Sequence, residues 1–196
     1  MTDLLLATTN RGKQREFRGL LAGLPGRIVT PAEIGLELEV DEPYHTYAEN
    51  ATTKAESYCR ASGLLTLADD SGLEVAALDW APGVDTAHYG GPQVTDKVAH
   101  LLANTADASD RRARMVCVLA IGIPDPAGPR VELFRGEMDG TLARQRSGDG
   151  GFGYDPVFLL PSGVTTAQLP EAEKNLVSHR GRAVAAARPR LVELLG

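Results

Sequence analysis

The fold of this chain is constrained most by its short apolar runs, which stop at polar residues. Segments with helical periodicity separate these runs. Leu4 to Ala7 and Leu64 to Ala68 are such runs, and each predicts a buried strand. Apolar residues recur at helical spacing from Asn10 to Leu24 and again from Thr46 to Ser62, where Gly63 is expected to end the helix. Strands that alternate with helices predict a mixed α/β fold.

The second half of the chain adds β-rich runs and ends in helical sequence. Arg114 to Ile123 and Arg130 to Asp139 flank a turn-forming Pro-Asp-Pro-Ala-Gly segment and predict a hairpin. A final helix is predicted from Arg180 to Leu195, and Pro189 is expected to kink or restart it. No repeat, low-complexity tract or long linker is apparent, so we expect residues 1–196 to form a single domain.

Composition and charge exclude several classes of function. The hydrophobic fraction of 43% and the charged fraction of 23% are ordinary for a globular protein, and no apolar run approaches the length of a membrane span. A formal net charge of −6 argues against a nucleic-acid partner, which usually requires a basic face. Cys59 and Cys117 are too few for a disulfide framework or a zinc site, and no export-signal pattern is apparent. We therefore expect a cytoplasmic protein with no membrane or nucleic-acid partner.

The segment Leu-Thr-Leu-Ala-Asp-Asp-Ser-Gly-Leu carries the sharpest chemical signal. It places Asp69 and Asp70 at the predicted end of a strand, with Ser71 and Gly72 suited to a tight turn. Ligands collect at strand ends in α/β sheets, and carboxylates there suit Mg²⁺ binding or the role of a base toward water. The alternative is an Asx turn in which an aspartate only caps the following helix.

The stretch from Leu4 to Phe17 is a candidate phosphate-binding segment. The predicted strand stops at Thr8, Thr9 and Asn10, and the helix that follows carries Lys13. The first turn of a helix offers free N–H groups and partial positive charge, which favour phosphate, and Lys54 can add a second ammonium. The alternative is a simple helix cap followed by a surface lysine. Because the glycines of a G-x-G-x-x-G motif are missing, a Rossmann dehydrogenase is excluded.

Two further segments carry candidate ligand-binding residues. Phe152 and Tyr154 are expected to be exposed among glycines that would let the backbone approach a ligand, and such a ring can stack on a base. Alternatively, this segment is a turn packed by aromatic side chains. Lys174, His179 and Arg180 fall near a helix junction and can donate to carbonyl and phosphate oxygens. A solvated helix start is the alternative.

Taken in order, these segments resemble the inosine triphosphate pyrophosphatase family, which acts on non-standard purine nucleotides. The segments that carry the resemblance are ATTNRGK, DEPYHTYAENATTKA, ADDSGLEV, APGVDTAHYGG, GGFGYDPVF and EKNLVSHRGRA. The resemblance implies an elongated central mixed sheet flanked by helices, with two lobes around a nucleotide cleft. It also implies a homodimer that uses Mg²⁺ to hydrolyse dITP, ITP or XTP to the monophosphate and pyrophosphate.

The resemblance also implies roles for individual residues. Asp70 is implied as the proton acceptor, and Asp70, Asp69 and Glu42 as ligands of Mg²⁺, with Glu39 and Asp41 as alternatives to Glu42. The implied substrate-binding residues are Thr8, Thr9, Asn10, Lys13, Lys54, Ser71, Phe152, Gly153, Tyr154, Asp155, Lys174, His179 and Arg180. Among them, the lysines would bind the triphosphate, and His179 and Arg180 would read the 6-oxo group of the purine.

The sequence departs from the family pattern at two positions and leaves two other functions open. Thr9 and Tyr44 stand where the family often has glycine. One alternative function is a Maf-like pyrophosphatase that acts on pyrimidine or modified nucleotides. The other is a regulator that binds nucleotides without hydrolysing them.

Overall fold

The computed structural model describes residues 2–91, 93 and 96–196. The strands are β1 (Asp3–Leu6), β2 (Arg27–Val29), β3 (Leu65–Val75), β4 (Arg112–Ile123), β5 (Arg130–Leu142) and β6 (Phe158–Leu159). They form a six-stranded sheet in the order β2-β1-β3-β4-β5-β6. Strand β1 pairs in parallel with β2 and β3, whereas β5 and β6 are antiparallel. The mixed sheet and its helices confirm the predicted α/β class, and adjacent β4 and β5 match the predicted hairpin.

The helices follow the local sequence signals with two exceptions. They are α1 (Arg11–Leu20), α2 (Tyr47–Ser62), α3 (Lys97–Asn104), α4 (Glu171–Val177) and α5 (His179–Leu195). Helix α2 begins after Thr46, whose side chain accepts a bond from Glu49 N, and ends at Gly63 with φ of 68°. Helix α1 stops before the predicted Leu24, and α5 continues through Pro189, so the predicted restart there is wrong. Within the described part of the chain, no helix is long and apolar enough to cross a membrane.

Strand β3 differs most from the sequence prediction. It was expected to stop at Ala68 and turn at Ser71 and Gly72, but the strand continues to Val75. Asp69 and Asp70 therefore lie inside a strand, where successive side chains point to opposite faces. Both carboxylates are buried, and each has a polar or charged partner in the same part of the fold. Because these partners come from distant helices, the local sequence alone resembled a turn.

The described residues form two compact units. The first contains residues 2–70, 117–136 and 180–196. Its core combines buried side chains of β1, β3, β4, α1 and α5, namely Leu4, Leu6, Phe17, Leu21, Leu65, Leu67, Cys117, Leu119, Ile121, Ile123, Ala183, Val184, Ala187, Leu191 and Leu195. Helix α2 also packs close to β4, because a Cβ atom added at Gly122 would lie 2.9 Å from Ala55 O. Glycine at this position permits that close approach.

The second unit contains the described residues of 71–116 and 137–179. Its core draws on the remaining parts of β3, β4 and β5 and on α3, with Leu73, Val75, Val98, Leu101, Ala113, Met115, Met138, Leu142, Tyr154, Val157 and Phe158 buried. A Cβ atom added at Gly140 would lie 2.6 Å from Leu159 O, so glycine allows β6 to pair closely with β5 there. Strand β3 belongs to the first unit as far as Asp70 and to the second from Ser71.

Truncating Leu119 tests the core of the first unit. Leu119 is fully buried, so Leu119→Ala removes packed methyl groups and leaves a cavity. We expect the free energy of unfolding, measured by urea denaturation, to fall by about 2–5 kcal/mol. Val192 is 45% exposed, and Val192→Ala is the matched control with little expected effect. Equal losses in the two variants would contradict the assigned core.

Candidate active site

The loop between β1 and α1 has most of its polar groups engaged in shaping the start of the helix. Asn10 Oδ1 accepts a bond of 3.1 Å from Lys13 N, and Thr8 Oγ1 accepts one of 3.3 Å from Asn10 N. Gln14 Nε2 donates to Thr8 O at 2.7 Å. Asn10 is thus the N-cap of α1, while Thr9 is exposed. The capping alternative is therefore confirmed for Asn10.

Asp69 is a buried carboxylate surrounded by positively charged side chains of the first unit. Its Oδ2 lies 2.9 Å from Lys13 Nζ, and its backbone carbonyl accepts a 3.0 Å bond from Lys54 Nζ. Burial alone would raise the pKa of Asp69, but the positive charges of Lys13, Arg180 and Lys54 outweigh burial and lower it. Asp69 therefore stays ionised inside the protein, with Lys13 held by its carboxylate and Lys54 by its backbone carbonyl.

Arg180 also belongs to this network through helix α1. Its Nη1 donates to Glu16 Oε2 at 2.7 Å, and both side chains are buried. Burial acts to lower the pKa of Arg180, but the charges of Asp69 and Glu16 outweigh it and raise the pKa. Nothing in the sequence around Glu16 indicates this buried contact. A charged residue on a polar helix usually faces solvent, and its partner lies 164 residues away in the chain.

Asp70 has a different environment from its neighbour. Its Oδ2 accepts a 3.1 Å bond from Asn50 Nδ2, and the side chain is buried. Burial raises the pKa of Asp70, and the bond from Asn50 with the charges of Lys13 and Lys54 offsets this only in part. The adjacent acids thus differ: Asp69 has a lowered pKa and Asp70 a raised one. This difference favours Asp70 as the base of the pair.

The predicted metal ligands lie near nitrogen donors. Lys54 Nζ is 2.6 Å from Glu42 Oε2, Lys13 contacts Asp69, and Asn50 contacts Asp70. Among the described residues, no three acidic, histidine or cysteine side chains are grouped closely enough to hold a metal ion. The donors nevertheless suit a hard cation, because they are carboxylates and Asp69 Oδ1 is buried without a hydrogen-bond donor. Binding an ion through Glu42 would require Lys54 to release it.

The second unit contains the glycine-rich loop, which is organised around Asp155. Phe152 N donates to Asp155 Oδ2 at 2.7 Å, Thr166 Oγ1 donates to Oδ1 at 2.8 Å, and Lys174 Nζ lies 2.5 Å from Oδ2. A Cβ atom added at Gly151 would lie 2.1 Å from Asp155 Oδ2, so glycine is required there. Lys174 Nζ also lies 5.6 Å from the centre of the Phe152 ring. The contacts of the buried Asp155 carboxylate therefore hold the glycine-rich loop in place.

The remaining predicted residues of the second unit differ in exposure. Phe152 is half-buried and Gly153 is exposed, but Tyr154 is buried in the core, so its expected exposure is wrong. Burial raises the pKa of Tyr154 to about 12. Ser71 is half-buried, and His179 is buried at the start of α5. The alternative of a turn packed by aromatic side chains is thus confirmed for Tyr154, whereas Phe152 remains partly accessible.

Comparison with known proteins establishes the family. The model of the Ham1 family matches residues 4–190. The chain belongs to the Ham1 family. A protein named dITP/XTP pyrophosphatase from Symbiobacterium thermophilum is 46% identical over 197 residues, covering 98% of this chain and 96% of that protein. A protein of the same name from Listeria monocytogenes is 38% identical, covering 100% of this chain and 97% of its own length.

Solved structures of Ham1 proteins have the same fold. A HAM1 protein from Coxiella burnetii aligns with a TM-score of 0.86 at 38% identity, covering 98% of this chain and all of that one. A structure from Mycobacterium abscessus described as a nucleoside-triphosphatase or dITP/XTP pyrophosphatase aligns with a TM-score of 0.72 at 36% identity, covering 97% of this chain and 100% of that one. Family and fold confirm the resemblance found in the sequence motifs.

The buried pair of Asp155 and Lys174 gives a prediction about stability. Lys174→Met leaves an ionised or newly protonated carboxyl group in a buried site, which costs about 3–5 kcal/mol. We expect urea denaturation to show a loss of this size in the free energy of unfolding. Arg18→Met breaks the exposed pair of Arg18 and Glu33 and should cost less than about 1 kcal/mol. Similar losses in the two variants would show that the buried pair does not hold the loop.

Proposed function

We propose that this Ham1 protein hydrolyses the non-standard purine nucleoside triphosphates dITP, ITP and XTP or dXTP to the monophosphate and pyrophosphate. Such an activity removes damaged purine nucleotides before they enter DNA or RNA. The observation that carries the proposal is the pair of adjacent buried acids on β3 with opposite pKa shifts, beside two lysines. The names of the relatives support the same reaction.

The proposal extends to the context in which the enzyme works. We propose that residues 1–196 act as one functional domain, because the Ham1 family model matches residues 4–190. We also propose a cytoplasmic homodimer that requires Mg²⁺ and binds no nucleic acid or membrane. The net charge of −6 supports the absence of a nucleic-acid partner.

Lys13 and Lys54 are the proposed phosphate-binding cations of the first unit. A triphosphate carries about four negative charges at neutral pH, which an acidic protein must meet with locally concentrated positive charge. Both ammonium groups are already aligned by contacts with Asp69, so less side-chain entropy is lost on binding. Thr8, Thr9 and Asn10 would add hydroxyl, amide and backbone groups, and the family resemblance assigns Lys174 to the triphosphate as well.

Asp70 is the proposed proton acceptor. Water attacks the α-phosphorus, its proton passes to the Asp70 carboxylate, and the bond from the α-phosphorus to the bridging oxygen breaks. Pyrophosphate then leaves with the bonding electron pair. A raised pKa makes Asp70 a stronger base than an ordinary aspartate, while the positive charges beside Asp69 keep that neighbour ionised.

Asp69, Asp70 and Glu42 are the residues that would hold Mg²⁺, with Glu39 or Asp41 as alternatives to Glu42. When bound, the ion supplies neutralisation of the phosphate charge and orients the reacting groups. The buried Oδ1 atom of Asp69 without a hydrogen-bond donor supports this assignment.

Recognition of the purine is assigned to donors that meet its 6-oxo group. His179 and Arg180 are the proposed readers, because imidazole and guanidinium N–H groups can donate to a carbonyl oxygen. An adenine 6-amino group would leave such donors unpaired, which is costly in a buried site. Contacts to the sugar and base are proposed for Ser71, Phe152, Gly153, Tyr154 and Asp155.

A substrate panel tests the proposed activity. We expect rapid pyrophosphate release from ITP, dITP and XTP with Mg²⁺, slow release from ATP, GTP and a pyrimidine triphosphate, and loss of activity when EDTA removes the metal. Equal rates on ATP would refute the selectivity, and a preference for the pyrimidine would favour the Maf-like alternative. Binding of ITP without pyrophosphate release would favour the regulator.

Replacing Asp70 tests its assignment as proton acceptor. Asp70→Asn keeps the shape of the side chain but removes the basic oxygen, so we expect kcat to fall by roughly 10²–10⁴-fold. Asp107→Asn is the matched control, because Asp107 is exposed and lies in the second unit outside the proposed site. Near-normal turnover of Asp70→Asn on ITP would disprove the assignment.

A further inference from the structure

Asn50 is a buried polar residue that the sequence analysis did not single out. It lies in the first turns of α2, and its side-chain amide makes three hydrogen bonds of 3.1 Å. Oδ1 accepts from Tyr44 N, while Nδ2 donates to Tyr44 O and to Asp70 Oδ2. Both hydrogens of Nδ2 therefore have an acceptor.

The two bonds to Tyr44 fix which way the amide faces. The backbone N–H of Tyr44 requires an acceptor and its C=O requires a donor, so exchanging Oδ1 and Nδ2 would break both bonds. With that orientation set, the second hydrogen of Nδ2 points to Asp70. The backbone of one loop residue thus determines that the Asp70 carboxylate faces a donor.

Asn50 is also part of a row of side chains that hold the acidic loop. Asn50, Lys54 and Tyr58 are spaced four residues apart on α2 and share one face of that helix. Lys54 Nζ contacts Glu42 at 2.6 Å, and Tyr58 OH donates to Leu38 O at 2.8 Å. Residues 37–45 contain neither helix nor strand, so these contacts fix the path of the loop beside Asp70.

We propose that Asn50 is a positioning residue that holds the Asp70 carboxylate in its reactive orientation and ties it to the loop that carries Glu42. This inference rests on the proposed function, because it assigns Asn50 to the same reaction. Asn50 touches neither substrate nor water in this scheme and acts through Asp70. A displaced base transfers protons poorly, since misplacement by about 1 Å can cost roughly 10²-fold in rate.

A double-mutant cycle tests the inference with ITP as substrate. The variants are Asn50→Ala, Asp70→Asn and the combination of both, with kcat and KM measured for each. We expect Asn50→Ala to lower kcat by about 10–100-fold with KM changed by less than about threefold. In the Asp70→Asn background the same change should lower kcat by less than about threefold, because no base remains to be positioned.

A second variant and a control complete the design. Asn50→Asp keeps the side-chain volume and the acceptor for Tyr44 N. It replaces the donor to Asp70 and Tyr44 O with an acceptor, so kcat should fall. This variant keeps the inference testable if Asn50→Ala is poorly folded. Ser57→Ala changes a half-buried residue on the same helix outside the site, and kcat should stay at its original value.

The outcomes separate this inference from the proposed function. An unaltered kcat in both Asn50→Ala and Asn50→Asp would overturn the positioning role while leaving the activity in place. The same holds if Asn50→Ala lowers kcat by the same factor in the unaltered protein and in the Asp70→Asn background. If the unaltered protein releases no pyrophosphate from ITP, dITP or XTP, the proposed function and the role of Asn50 both fail.

Discussion

The carboxylate of Asp69 imposes the constraint on which the first compact unit depends. An ionised group buried at this depth is costly unless positive charge compensates for it. Lys13 from α1 and Arg180 from α5 supply that charge, and Lys54 from α2 bonds to the backbone of the same residue. Three helices from distant parts of the sequence are thereby held against one residue of β3.

The same constraint links stability to chemistry. The lysines that lower the pKa of Asp69 are also the cations proposed to bind phosphate, so the contacts that stabilise the fold also fix their positions. Asp70, the next residue on the strand, has a neutral amide donor as its neighbour and a raised pKa. Two adjacent and chemically identical side chains thus acquire different properties from their surroundings alone. In the second unit, Asp155 and Lys174 form a comparable buried pair that fixes the glycine-rich loop.

Features set by local sequence were predicted well. Thr46 and Gly63 bound α2 because capping and left-handed glycine are local effects, and Asn10 caps α1 for the same reason. The family resemblance was also predicted correctly, because its motifs are short segments that can be read locally. Features set by distant partners could not be predicted in this way. The polar run in β3 resembled a turn, because nothing in that run indicates that Lys13 and Asn50 bury its carboxylates.

The buried contacts of two helical residues also could not be predicted from the sequence. Glu16 and Asn50 lie on helices with no local sign of burial. Their importance is visible only in their hydrogen bonds with Arg180 and Asp70. Tyr154 was expected to be exposed because glycines surround it, yet its ring fills the second core. In each case tertiary packing decided the outcome.

Hydrolysis of ITP in ¹⁸O-labelled water is the most direct test of the central claim, that water attacks the α-phosphorus. Mass spectrometry of the products then shows which of them received the oxygen of water. We expect the label in inosine monophosphate and none in pyrophosphate. Label in pyrophosphate, or release of orthophosphate as the first product, would contradict the proposed reaction.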